Sequence, residues 1–241
     1  MLITLLYHRA FACRYGNSPE ILEKHFSFLK ENYPIVLPLD PLDKKKISLC
    51  LSFDDATFDF YKIVYPLLHA YDLKALLAVP VGFIAEDTFY SDKERLSALK
   101  EFSFHSSPPS HSFCSFKELH EMTLSSRVHI ASHGMHHTNL SLPGVDLSLE
   151  LEVSKKILEQ RLSTPIHSFV FPYGKYNKEV LDQAKKHYRL TFRIGNGLNF
   201  SWKNPLQLRL NADQTPDLKQ LLSPKNYPRF FSNKMLNLLF S

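Results

Sequence analysis

Four short clusters in this 241-residue chain carry side chains suited to hydrolytic chemistry. Asp54 and Asp55 are adjacent carboxylates at the end of an apolar run, so their side chains point in different directions. One can bind a metal while the other faces a water on that metal. The competing use is a helix N-cap, a position that Asp favours. His133 and His137 are spaced i, i+4, and on a helical turn both imidazoles share one face, as metal ligands require. Such a pair alone is more often structural, and His136 lies off that face. Beside two Asp, the pair reads as metal-ligating. Two His and one Asp leave open positions, the catalytic rather than the structural arrangement for a divalent cation. Zn²⁺ suits that set, and Co²⁺, Ni²⁺ and Mn²⁺ accept similar ligands. Phe171-Pro172-Tyr173-Gly174 reads as a tight turn whose exposed Tyr173 N–H can stabilise an oxyanion, or as an ordinary strand-to-helix turn. The fourth cluster is Tyr7-His8-Arg9, in which His8 is either a general acid or a buried structural His.

Each cluster follows a short apolar run, and these runs must position the chemistry. Residues 3–7, 47–53, 75–79, 128–132, 167–171, 189–194 and 206–210 read as strands. Helical patterns separate them. One opens at Ser18-Pro19 and runs to about Glu31. One covers 58–71 and should be kinked or shortened by Pro66. Ser115 and Glu118 form a capping box before 116–124. Residues 147–162 are amphipathic, and 178–187 are capped by Asn177. Alternating strands and helices predict an α/β fold, a parallel sheet covered by helices and either open or closed into a barrel. Active-site groups gather at the C-terminal strand ends of such folds. Four polar clusters at successive strand ends therefore suggest one shared site. Residues 84–114, with His105 and His111, break the alternation and read as an insertion or lid, partly mobile. The domain is expected to span 1–222. The tail, 223–241, is expected to pack its apolar 235–240 patch on the outside.

Composition narrows the class. Twelve His against three Cys (Cys13, Cys50, Cys114) leave His and Asp as the only credible metal ligands. Scattered Cys fit a reducing compartment. The net charge of +5 fits a mildly basic solvated surface and can help attract an anionic substrate or membrane face. No nucleic-acid motif is present. No apolar run approaches a membrane span of about 20 residues, and the first residues lack a signal-peptide pattern, so a cytoplasmic protein without stable membrane insertion is expected. Nothing in the sequence sets an oligomeric state.

These residues resemble the polysaccharide deacetylases, the NodB-homology domain of carbohydrate esterase family 4. The family's T-F-D-D-G stands here as Ser52-Phe53-Asp54-Asp55-Ala56. Its H-[ST]-x-x-H is His133-Gly134-Met135-His136-His137, and the F-x-Y-P-Y-G of one branch is Phe169-Val170-Phe171-Pro172-Tyr173-Gly174. Tyr7-His8-Arg9 is similar to the Y-H-x that begins many members, and residues 116–122 to the helix before the second motif. The resemblance spans about residues 2–210. It implies a distorted (β/α) barrel and metal-dependent removal of acetyl groups, usually N-acetyl from amino sugars. It assigns Asp55, His133 and His137 to the metal, Asp54 to the general base and the Tyr173 N–H to the oxyanion. An acetylated amino sugar or glycan is the implied substrate.

The departures are specific. Ala56 replaces Gly, so it must hold that residue's backbone angle. Gly134 replaces Ser/Thr and removes a bracing hydroxyl. Phe171 stands where other branches carry an Arg that orients the base. The late strand, Leu206-Gln207-Leu208-Arg209-Leu210-Asn211, lacks the family's His. His8 is the expected substitute acid, ahead of Arg209 and Asp213. Two other functions fit the same residues: a metal-dependent amidohydrolase on a non-sugar C–N bond, and a non-catalytic relative that binds metal or glycan.

Overall fold

The computed structural model describes residues 1–104 and 108–239. Seven parallel strands close into one barrel in chain order. They are β1 (Leu2–Tyr7), β2 (Ser48–Phe53), β3 (Ala75–Val79), β4 (Val128–Ser132), β5 (Ser168–Val170), β6 (Leu190–Ile194) and β7 (Leu206–Asn211). β7 returns to β1 in the register Thr4↔Arg209, which completes the closure. The barrel, rather than the open sheet, is the geometry adopted, with strand bounds within a residue or two of the sequence reading.

Strands β1, β2 and β3 are buried along their whole length. They are covered on both faces and therefore read as near-continuous apolar runs. The period of two survives underneath. Leu2, Cys50, Leu76, Ala78, Ala131, Val170 and Phe192 fill the narrow interior. Their neighbours Ile3, Leu5, Leu49, Leu51, Leu77 and Ile130 pack outward against the helices. Several interior side chains are small, as a seven-stranded barrel demands. The same inward face also carries buried polar groups: Thr4, Ser52, Gln207 and Arg209. The ring is thinnest between β4 and β5, which share the single register pair Ser132↔Phe169. There the His133 Nδ1–H donates to the Val170 carbonyl at 2.7 Å, taking up an acceptor in the gap.

The helices are α1 (Pro19–Asn32), α2 (Tyr65–Ala70), α3 (Asp92–Ala98), α4 (Phe116–Leu124), α5 (Ser154–Leu162), α6 (Lys178–His187), α7 (Leu218–Leu221) and α8 (Tyr227–Leu239). Two expected α-helices open with a wider π turn, at Phe60–Val64 and Ser148–Val153. Pro66 directly follows the first π turn, inside a helical run that spans residues 58–70, so the irregularity expected of it falls there. The capping box of α4 and the Asn177 cap of α6 form as expected.

Part of the insertion at 84–114 forms regular structure. It contains α3, which has its own capping box, Ser91 with Glu94. Arg95 fastens it to the domain: buried, it makes a paired contact with Glu118 and donates to the His111 and Phe113 carbonyls. His111 stacks on Tyr90 at 4.0 Å, while His105 lies outside the described residues. The tail forms α8, which packs through Phe230. Of the 235–240 patch, Met235 and Leu236 are exposed.

Candidate metal centre

All four polar clusters converge at the C-terminal end of the barrel, but the local geometry differs from the sequence reading. The loop 133–137 is not a helical turn. It is an irregular reversal with positive φ at Gly134 (81°) and His137 (53°), and that reversal turns both imidazoles inward. Asp54 and Asp55 cap no helix. Asp55 and Ala56 take left-handed angles of 74° and 50°, so Ala56 does hold a conformation that costs a non-glycine residue about 1 kcal/mol.

Asp55, His133 and His137 place one ligand atom each within 4.8 Å of one another. Asp55 Oδ1 is 3.4 Å from His137 Nε2 and 3.7 Å from His133 Nε2. It is buried and has no hydrogen-bond partner among the described residues. An orphaned carboxylate oxygen costs about 1–3 kcal/mol or more unless something else meets it. The donors present fit a divalent cation. The Val170 carbonyl fixes His133 Nδ1 as the protonated nitrogen and leaves the Nε2 lone pair facing Asp55. Burial lowers the His133 pKa, and burial with the neighbouring His133 lowers that of His137 to about 3. Both rings are therefore neutral, as ligation requires.

The remaining oxygen of Asp55, Oδ2, is 3.1 Å from Arg9 Nη2. Burial opposes ionisation of Asp55, but Arg9 and then His137 more than offset it, and its pKa falls. Arg9 also donates to Thr57 Oγ1 at 2.8 Å and lies 4.3 Å beneath the Phe102 ring of the insertion. Phe104 stacks on His137 at 3.7 Å, and Tyr173 meets the same imidazole edge-on at 4.6 Å. His137 is therefore held between the insertion and the β5 turn.

Asp54 is bound by Arg209 in a two-point pair, Nη1 to Oδ1 at 2.6 Å and Nη2 to Oδ2 at 2.9 Å. Arg209 Nη1 also donates to Ser52 Oγ at 2.8 Å. Burial alone would raise the Asp54 pKa, but Arg209, His133 and His8 hold it well below the usual carboxylate range. Arg209, fully buried, is thus the ionic partner of Asp54.

His8 lies beside Asp54, its Nε2 3.8 Å from Asp54 Oδ2. Its Nδ1 is 2.5 Å from Asp213 Oδ2, and its backbone N–H donates to Asp213 Oδ1 at 3.1 Å. Burial opposes charge on His8, but the Asp213 hydrogen bond and the nearby carboxylates prevail and raise its pKa. Asp213 is thus a partner of His8. The tight turn 172–174 forms with Tyr173 at φ 57°. Among the described residues the Tyr173 N–H makes no backbone hydrogen bond outside its own turn, while Gly174 and Lys175 donate to the Phe171 and Pro172 carbonyls.

Sequence reasoning missed Glu150. It is buried at the opening turn of the helix before β5, and it accepts from the Met135 N–H at 2.7 Å and the His136 N–H at 3.2 Å. His136 Nδ1 binds its other oxygen at 2.9 Å. A Cβ on Gly134 would stand 2.5 Å from Glu150 Oε2. The glycine is therefore not a lost brace but the opening through which Glu150 braces the loop. The available signal was the pairing of that Gly with an acidic residue on the next helix, too weak to notice unaided.

The polysaccharide deacetylase family model matches residues 42–190. Among curated proteins, YxkH of Bacillus subtilis (strain 168), described as a polysaccharide deacetylase, is 25% identical over 195 residues. That match covers 76% of this chain but only 60% of YxkH. Among solved structures, the Streptococcus pyogenes deacetylase PplD, in complex with acetate, superposes with a TM-score of 0.73 at 22% identity, covering 92% of this chain and 98% of that one. A de-N-acetylase from Aggregatibacter actinomycetemcomitans gives 0.73 at 21% identity, covering 92% and 99%. At these identities the two structures speak to the fold.

Proposed function

The chain belongs to the polysaccharide deacetylase family, and on that premise we propose that it hydrolyses an N-acetyl group on an amino sugar or glycan with the help of a divalent metal, Zn²⁺ by preference. The observation that carries this reading is the buried, partnerless Oδ1 of Asp55, facing two neutral imidazoles. Asp55, His133 and His137 would hold the cation. When bound, it supplies Lewis-acid polarisation of the acetyl carbonyl and acidifies a water.

The geometry supports the following division of roles among the protein's own residues. Asp54 is the general base, kept ionised by Arg209. A carboxylate held so far down is a weak proton acceptor, so Asp54 orients the attacking water as much as it deprotonates it. The Tyr173 N–H, with no backbone partner outside its own turn among the described residues, is the oxyanion donor. His8 carries the proton for the leaving amine: Asp213 keeps it protonated, and its Nε2 faces Asp54. This fills the place of the His missing from β7. Three free cysteines support a reducing, cytoplasmic setting.

The test is acetate release from N-acetylglucosamine oligomers and from lipid-linked acetylated amino sugars, with Zn²⁺, Co²⁺, Ni²⁺ or Mn²⁺ supplied in turn. Metal-dependent acetate release is expected. Turnover of small cyclic amides alone would instead make the protein an amidohydrolase of another kind.

A further inference from the structure

The last helix presents an apolar face to solvent with none of the described residues packed on it. In α8, Phe230 and Lys234 turn inward, while Phe231, Met235 and Leu236 are 46%, 47% and 52% exposed. Phe200, 55% exposed, extends the patch, its ring 6.2 Å from Phe231. A helix whose outward side is apolar normally has something on it.

The charge of the segment that carries the patch has one sign. From residue 218 to 241 the chain carries Lys219, Lys225, Arg229 and Lys234, and no Asp or Glu. Lys225 and Arg229 are exposed at the start of α8. An apolar face on a segment that exposes Lys225 and Arg229 and carries no acidic residue matches an anionic lipid surface, with the apolar side chains in the headgroup boundary and the exposed cations on the phosphates. Two copies meeting face to face across a two-fold axis would bring the same cations together. Among the described residues no helix is long and apolar enough to cross a membrane, so contact would be superficial.

The helix is rigidly mounted near the catalytic end. Asn233 and Asn237 donate to the carbonyls of Asn196 and Gly195, at 2.9 and 3.1 Å. Those two residues follow β6 directly, and their N–H groups both donate to the Arg209 carbonyl. Gly197 lets the helix approach: a Cβ there would fall 2.6 Å from the Leu208 side chain and 3.2 Å from the Lys234 backbone nitrogen. We propose that α8 is a docking device, laying its Phe231, Met235 and Leu236 face on an anionic membrane and holding the barrel flank against it. This does not depend on the deacetylase reading. If both hold, the site is placed to take an acetylated amino sugar carried on a lipid.

The test is co-sedimentation of the full chain with two kinds of vesicle, pure phosphatidylcholine and an equal mixture of phosphatidylcholine and phosphatidylglycerol. Binding to the anionic vesicles should exceed binding to the neutral ones by about tenfold and weaken in high salt. The variant Phe231→Ser/Met235→Ser/Leu236→Ser should lose it with an unchanged melting temperature. Three outcomes would overturn the proposal. The wild type could ignore anionic vesicles, or the triple variant could bind as well as wild type. Sedimentation could also reveal a wild-type dimer that the variant dissolves, which would give the face to a second copy.

Discussion

Replacing Gly134 by Ser restores the residue type that the family motif carries, yet in this chain it should do harm. The backbone there is at φ +81°, and the new Cβ would come within 2.5 Å of Glu150 Oε2. A left-handed angle costs a non-glycine residue about 1 kcal/mol. Pushing the buried carboxylate aside strips the Met135 and His136 N–H groups of their acceptor, at about 1–3 kcal/mol. The sum is a destabilisation of about 2–4 kcal/mol, a fall in melting temperature of about 5–15 °C for a chain of this size. Because the displaced loop carries both imidazoles, metal affinity should fall with it. Thermal unfolding and a Zn²⁺ titration of Gly134→Ser measure the two effects. A variant as stable as wild type with unchanged Zn²⁺ affinity would refute the account of Glu150 as the brace of this loop.

Other consequences concern the acid and the base. Arg209→Met leaves Asp54 buried and unpaired, which should cost about 3–5 kcal/mol of stability. Turnover should fall at least about a hundredfold. Adding Asp54→Asn should recover stability without activity, and a double variant no more stable than Arg209→Met would argue against the pair. The pKa of His8 is raised, so its protonated form persists above the ordinary His range and is lost as pH rises through the raised value. Activity that needs this proton should fall along the same alkaline limb. Asp213→Asn should move that limb to lower pH in a kcat/KM profile, and an unmoved limb would remove His8 from the acid role. The same interaction stabilises the fold fully below the ordinary His pKa and fades as pH rises through the raised one. Calorimetry across that range should show the loss in wild type and not in His8→Ala.

The parts of the fold legible in the sequence were those with local causes. Doubly covered strands such as 47–53 announce themselves as apolar runs, and Ser115 with Glu118 or Asn177 marks a helix start by its own chemistry. The four clusters were found because strand ends are where a parallel barrel collects function. What stayed hidden depends on partners far apart in the chain. Arg209 lies 155 residues from Asp54, and its meaning exists only once β7 closes on β1. The sequence reading placed it only among the lesser candidates for the acid. Gly134 read as a missing hydroxyl because Glu150 approaches from a π turn, and no simple period predicts a π turn. The i, i+4 spacing of His133 and His137 pointed to the right pair for the wrong reason: the loop brings them together by two left-handed residues.

The central claim is that Asp55, His133 and His137 form a metal site in which Asp54 takes no part as ligand. It is tested most directly by measuring bound metal in the purified wild type, Asp54→Asn and Asp55→Asn after saturation with Zn²⁺ and desalting. The account predicts one ion per chain in the wild type and in Asp54→Asn, the latter inactive, and none retained by Asp55→Asn. Loss of metal from Asp54→Asn with retention by Asp55→Asn would contradict it, and would exchange the roles of the two carboxylates.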